Sequence, residues 1–271
     1  MAQDHRTEGR PQDADLLQIA LDLADIARQA VLPLFRTPEV VTTDKGRDGF
    51  DPVTEADRAT ETAMRAHLAR ARPQDAILGE EEGASPGTSG LTWVLDPIDG
   101  TRAFLSGAPT WGVLIALCDD DGPRLGVIDQ PWTGERFVGS TAGAWADGPR
   151  GRGPIATRAP RPLDQAILFS TFPEIGTAQE RTAFEALSAR CRLTRYGLDC
   201  YAYALVALGQ IDLVVEAGLH AYDVCAPIAV IEAAGGVVTD WRGGPARHGG
   251  RILAAANRDI HAAALEILSR A

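Results

Sequence analysis

Apolar positions recur along this chain with two periods. Leu16, Ile19, Ala20, Leu23, Ile26, Ala27, Ala30 and Leu34 fall three or four residues apart, the spacing that lays one helix face on a core. The pattern predicts a helix that ends near Pro33 and Phe35. "TTDKGRDGFDP" reads as a loop, and a second helix follows through Ala59, Ala63, Met64 and Leu68, with Thr54 placed to cap it. Short apolar runs then take over: "AILG", "LTWVL", "WGVLIAL", "RLGVIDQ" and "ERFVGS" predict strands, with "PWTGE" as the hairpin turn between the last two. From 147 to 162 the chain is rich in Gly, Pro and Arg without apolar periodicity, which predicts a loop and a boundary between residues 1–160 and 161–271. Its arginines read as a solvated basic loop in preference to an anion site.

The remainder alternates: strand "AILFS", a helix over 177–190, helix "CYAYALVALG", strand "IDLVVEAG", helix "DVCAPIAVIEAAGG", strands "VVTDW" and "RILAAA", and a closing helix. Gly235 and Gly236 stand where a helix C-terminus favours glycine. Strands alternating with helices predict a layered α/β architecture, an α+β part followed by an α/β part.

Composition narrows the partners. A net charge of −11 argues against a surface that binds nucleic acid phosphates or anionic membranes. It leaves room for an anionic substrate, because bound cations reverse the sign of a local site. The start of the chain lacks the apolar core of a secretory signal, and no apolar run is long enough to span a bilayer, so a cytoplasmic address is expected. Cys118, Cys191, Cys200 and Cys225 show no CxxC spacing and read as structural.

"WVLDPIDGTRAF" departs from this plain pattern, since an apolar run ends in Asp96 and Asp99. Pro97 lacks an N–H and fixes its φ, so it is expected to end the strand and turn both carboxylates, with the Ile98 carbonyl, toward one point. Such an oxygen set suits a hard cation such as Mg²⁺; a turn in which Asp caps the next helix is the alternative. In "ILGEEEG", Glu80 follows another short strand and would arrive beside Asp96 if the two strands are neighbours; a solvated acidic loop is the alternative. Asp57 in "DPVTEAD" and Asp223 in "EAGLHAYDVCAP" each open a helix, where a capping role competes with a metal role. One shared metal site accounts for all of these more economically than separate caps. Clustered carboxylates holding two cations about 3.5–4 Å apart orient a phosphate and neutralise the leaving oxygen. Gly100 and Thr101 open "TRAFLSG", whose N-terminus, if helical, suits an anion, and Thr101 with Glu80 could hold and deprotonate a water.

Together "DPVTEAD", "GEEEG", "LDPIDGT" and "YDVCAPIAVIEAAGG" resemble, in order and over residues 15–270, the inositol monophosphatase-like magnesium-dependent phosphatase superfamily. The resemblance implies an α-β-α-β-α sandwich of the inositol monophosphatase/fructose-1,6-bisphosphatase type, often dimeric, with two or three Mg²⁺ ions. It makes Glu80, Asp96, the Ile98 carbonyl, Asp99 and Asp223 the metal ligands. It further implies that Glu80 and Thr101 position the nucleophilic water, that Asp57 supports the metal shell, and that phosphate lies on Gly100 and Thr101. Direct in-line attack by metal-activated water is the implied mechanism.

Within the superfamily the chain resembles the histidinol-phosphate phosphatase branch through "DGTRAFLSGAPTWGVLIAL", "GVIDQPWTGERFVG", "GLDCYAYALVALGQIDLVVEAGL" and Tyr222 before Asp223. L-histidinol phosphate is then the expected substrate, with inositol 1-phosphate or another small sugar phosphate as the alternative. A catalytically silent metal- or phosphate-binding regulator is the non-enzyme alternative. The substrate side would comprise Arg102, Gly197, Asp199 and Glu216 beside Ile98, Asp99, Gly100, Thr101 and Asp223. Asp199 and Glu216 suit a cationic substrate end, and Asp199 equally suits a cap for the helix that follows it. Leu198 replaces the second glycine of the branch's usual "GGDCY", and Phe172 stands where a small residue is usual. His220 reads as an orienting or structural residue rather than a base.

Overall fold

The computed structural model describes residues 11–37, 42–44 and 52–270. Its larger sheet has the order β10-β9-β8-β7-β6-β5-β3-β4. These strands are β3 (Ala76–Gly79), β4 (Gly83–Ser85), β5 (Thr92–Asp99), β6 (Gly112–Asp119), β7 (Gly122–Gln130), β8 (Glu135–Ser140), β9 (Gly143–Asp147) and β10 (Gly153–Pro154). The long apolar run of β6 reflects burial on both faces. Val113, Ile115 and Leu117 meet one core with Leu23, Ala27, Met64 and Leu68, while Leu114 and Ala116 meet another with Val224, Ile228 and Val214.

The first of these cores is closed by α1 (Pro11–Val31) and α2 (Glu55–Ala71), and the second by α5 (Cys200–Ala207) and α6 (Ala221–Ala233). Beyond α5 and α6 lies a smaller sheet, β12-β11-β13-β15-β14, built from β11 (Ile167–Ser170), β12 (Leu193–Tyr196), β13 (Leu213–Leu219), β14 (Val237–Thr239) and β15 (Gly250–Ala255). Its outer face is covered by α4 (Ala178–Ser188) and α7 (Arg258–Leu268) around Phe184, Leu187, Trp241 and Leu268. The layers run α-β-α-β-α, as the sequence leads one to expect.

Helix α6 approaches the large sheet closely because two glycines face it. A Cβ on Gly126 would lie 2.4 Å from the Ala226 carbonyl oxygen, and one on Gly139 would lie 2.4 Å from that of Ala229. Gly126 and Gly139 are paired across β7 and β8, so together they form a flat seat for the helix. The other end of α6 closes with Gly235 in the left-handed region (φ 98°), while the Gly236 N–H donates to the Ile231 carbonyl.

Several expectations need correction. Helix α1 stops at Val31, two residues before Pro33. Within the stretch read as a loop, β1 (Thr42–Asp44) pairs antiparallel with β2 (Pro52–Thr54); the Thr54 side chain that was expected to cap α2 lies outside the described residues. The 147–162 segment contains β10, which pairs with β9. Its arginines are not merely solvated: Arg158 and Arg161 reach the buried Asp212 at 2.9 and 3.2 Å, and Arg152 stacks on Trp145. Strand β12 was missed because "LTRY", an edge strand, is largely exposed and has no apolar alternation.

Candidate metal centre and phosphate site

Strand β5 does not end at Pro97. It continues to Asp99, and its pairing with β6 shifts between Asp96↔Leu114 and Asp99↔Gly112, so one extra residue bulges out where Pro97 supplies no N–H. The bulge brings Asp96 and Asp99 together. Asp96 is buried, accepts a hydrogen bond from the Ile98 N–H at 3.1 Å, and shares one place with Asp99 and with Asp223 of α6. Oxygens of these three carboxylates all lie within 4.8 Å of one another.

Glu80 arrives as the pairing predicts. β3 runs parallel to β5 with Gly79 opposite Leu95, and the Glu80 N–H donates to the Leu95 carbonyl, which sets Glu80 beside Asp96. Asp57, buried in the first turn of α2, adds its charge to the same neighbourhood. Burial pushes the Asp96 carboxyl well above its ordinary range, and Glu80, Asp99, Asp223 and Asp57 add to the push in that order. Burial likewise raises Asp99, aided by Asp199 and Asp223. Asp223 rises to about 6 through burial, held back by the His220 N–H that donates to it at 2.6 Å.

A cluster of mutually repelling, oxygen-only donors is the environment a hard divalent cation relieves, and these residues fit one. The competing capping roles are partly realised as well. Asp223 accepts from the backbone at the start of α6, and the Asp99 carboxylate, not that of Asp199, receives the Cys200 N–H opening α5, at 2.6 Å. Asp199 makes no side-chain cap; its backbone sits at φ 49°, ψ −137°, a conformation costly for a residue with a side chain. Thr101 opens the six-residue helix α3 (Thr101–Ser106), with its hydroxyl 3.2 Å from the Ile98 carbonyl. Gly100 takes φ 84°, and Asp199 packs so closely against it that a Cβ there would lie 2.7 Å from the carboxylate carbon.

The substrate-side candidates gather along the ends of α3, β11 and α5. Asp199 is raised to about 6 by burial, while Thr110 and Arg102 pull it down. Glu216, on β13, is raised to about 7 by burial, with Thr171 and Ser170 donors opposing and Asp199 adding to the rise. It accepts from the Thr171 N–H at 2.7 Å and the Thr171 hydroxyl at 2.8 Å. Gly197 is left-handed (φ 70°) in the exposed turn before Asp199. His220 is exposed and stacks on Tyr222.

Sequence reasoning missed two supports. Thr171 carries no local motif. Glu61 did leave a signal, a charge spaced with Met64 and Leu68 on the inward face of α2. Fully buried, it accepts from the Glu81 and Glu82 N–H groups at 2.7 and 3.1 Å and pairs with Arg65 at 2.7 Å, fixing the turn that bears Glu80.

A layered sandwich with acidic strand ends converging on one oxygen-rich centre defines a metal-dependent phosphomonoesterase. The chain matches the model of the inositol monophosphatase family over residues 12–271 and belongs to that family. It is 38% identical over 260 residues to the chloroplastic bifunctional phosphatase IMPL2 of Arabidopsis thaliana, covering 91% of this chain and 72% of that one. It is 35% identical to a histidinol-phosphatase of Mycobacterium tuberculosis, over 89% and 93% of the two chains. Among solved structures, an inositol monophosphatase from Zymomonas mobilis superposes with a TM-score of 0.84 at 39% identity, over 96% of this chain and 100% of that one. Among the described residues no helix is long and apolar enough to cross a membrane.

Proposed function

We propose that this enzyme hydrolyses small phosphate monoesters, and the convergence of Asp96, Asp99 and Asp223 within 4.8 Å carries the reading. Glu80, Asp96, Asp99, Asp223 and the Ile98 carbonyl would hold two or three Mg²⁺ ions, which supply Lewis-acid polarisation of the phosphate and charge neutralisation at the leaving oxygen. Gly100 is left-handed, with the Asp199 carboxylate packed against it, and a phosphate would meet the first N–H groups of α3, which lack helical acceptors. The Thr101 hydroxyl, held near the Ile98 carbonyl, and the Glu80 carboxylate orient the attacking water and take its proton. Asp57 supports them by its charge beside Asp96.

Inositol 1-phosphate or a similar small sugar phosphate is the substrate reading supported by the superposition on solved inositol monophosphatases. L-Histidinol phosphate is a second reading, and a specific observation favours it: Asp199, which packs on Gly100, lies near enough to Glu216 to add to the rise of its carboxyl, so two acidic groups stand on the substrate side, a setting for an ammonium group. Relatives named histidinol-phosphatase add support. A cytoplasmic homodimer acting without nucleic acid or membrane completes the proposal. The test is phosphate release by purified protein with Mg²⁺ on both substrates at matched concentration, with an EDTA control. A hundredfold preference decides the substrate, and absence of EDTA-sensitive release from either one overturns the phosphatase reading in favour of a silent binding protein.

A further inference from the structure

Phe172 is 45% exposed, unusual for a phenylalanine beside a buried polar site. Its backbone is nonetheless fixed. Thr171 before it is bound to Glu216, and the Ser170 hydroxyl lies 3.4 Å from the Phe172 carbonyl oxygen. The ring stands under the Arg102 guanidinium, whose central carbon is 5.1 Å from the ring centroid. Arg102 follows Thr101, and its charge also pulls on Asp199, which packs on Gly100. Three segments that are distant in sequence, the start of α3, the end of β11 and the turn before α5, are therefore neighbours. Phe172 is thereby linked to Thr101 through its neighbour Arg102 and to Glu216 through Thr171.

An exposed aromatic ring is attracted by a guanidinium over its face and otherwise leaves apolar surface in water. The Arg102 guanidinium gives the Phe172 ring such a partner. Phe172 thus presents an apolar ring next to the segment that carries Thr101. Asp199 and Glu216 offer charge there but no flat apolar contact.

Building on the phosphatase reading above, we propose that Phe172 is a specificity-determining residue: its ring is the wall on which the non-phosphate part of the substrate lies, and it favours leaving groups bearing a planar ring over purely hydroxylated ones. The experiment measures kcat/KM for 2-phenylethyl phosphate, histidinol phosphate and glycerol 2-phosphate with Mg²⁺, in wild type, Phe172→Ala, Phe172→Leu and Phe172→Trp. In Phe172→Ala the ratio of either ring-bearing ester to glycerol 2-phosphate falls about tenfold, mostly through KM, and Phe172→Trp restores it. Phe172→Leu, which keeps apolar bulk without the flat face, falls with Ala and stands in for it should Ala fold poorly. A ratio that is the same in all four proteins, or equal losses on all three esters, overturns the inference while leaving the phosphatase reading intact. Wild type without EDTA-sensitive release removes both.

Discussion

Gly79→Ala gives a sharp test of how the acidic turn is built. Gly79 ends β3, directly before Glu80, and its φ lies outside the left-handed region, so the backbone accepts alanine. The obstacle is Glu61: the added Cβ would lie 2.0 Å from its Oε1 and 2.4 Å from its carboxylate carbon. Glu61 is fully buried and cannot retreat without releasing the Glu81 and Glu82 N–H groups and the Arg65 guanidinium. Each hydrogen bond to a charged group is worth roughly 1.5–3 kcal/mol, so losing the two backbone bonds alone destabilises by about 3–6 kcal/mol. Arg65, left beside a displaced partner, adds to that loss. Urea unfolding followed by circular dichroism should show a lower midpoint at unchanged slope, and phosphate release should fall because Glu80 rides on the displaced turn. Glu61→Ala removes the obstacle, so the double variant should be little worse than Glu61→Ala alone. Gly79→Ala within 1 kcal/mol of wild type, or simple additivity in the double variant, would refute the reasoning.

Asp96→Asn and Asp223→Asn should each lower EDTA-sensitive phosphate release by at least about 100-fold, or roughly 2.7 kcal/mol of transition-state stabilisation, while urea unfolding stays cooperative; activity near wild type in either variant removes it from the metal centre. The Glu216 carboxyl, raised to about 7 from an ordinary 4.5 chiefly by burial, is favoured in its protonated form by the folded protein. Its contribution to stability is whole below pH 4.5 and is lost as pH rises through 7, an effect of roughly 3 kcal/mol that Glu216→Gln should flatten in urea titrations across that window. Thr177 and Glu180 form a capping box on α4, so Thr177→Ala should destabilise by about 1 kcal/mol without altering kcat/KM, and a kinetic effect would link α4 to the site.

The layered α/β character was legible in the alternation of strands and helices, while the α-β-α-β-α order came from the family resemblance; β6 and β7, buried on both faces, and α1 and α2, buried on one, agree with it. Asp96, Asp99, Glu80 and Asp223 were legible only together: each has a cap or a solvated loop as its structural alternative, and it is their shared placement at strand ends and a helix start that points to one site. What stayed hidden was partnership over long range. Nothing near Asp99 announces the Cys200 N–H, and nothing near Thr171 announces Glu216, since each bond depends on a register set elsewhere. The persistence of β5 past Pro97 was hidden too, because it depends on β6 absorbing a bulge that the local sequence reads as a stop. Short edge strands such as β4 and β12 carry too few buried positions to show a period.

The bond from the Cys200 N–H to Asp99 makes the two sides of the centre answer to one another. A helix normally begins on a residue of its own turn, whereas α5 begins on a carboxylate from the other sheet. Redesign of substrate choice through positions 197–199 is therefore bounded by a tether: a transplanted turn of different length would move the amide at 200 and draw Asp99 with it. Changes of side chain at 172 or 199 carry no such penalty, so directed evolution of this chain should travel through substitutions at fixed length rather than through insertions.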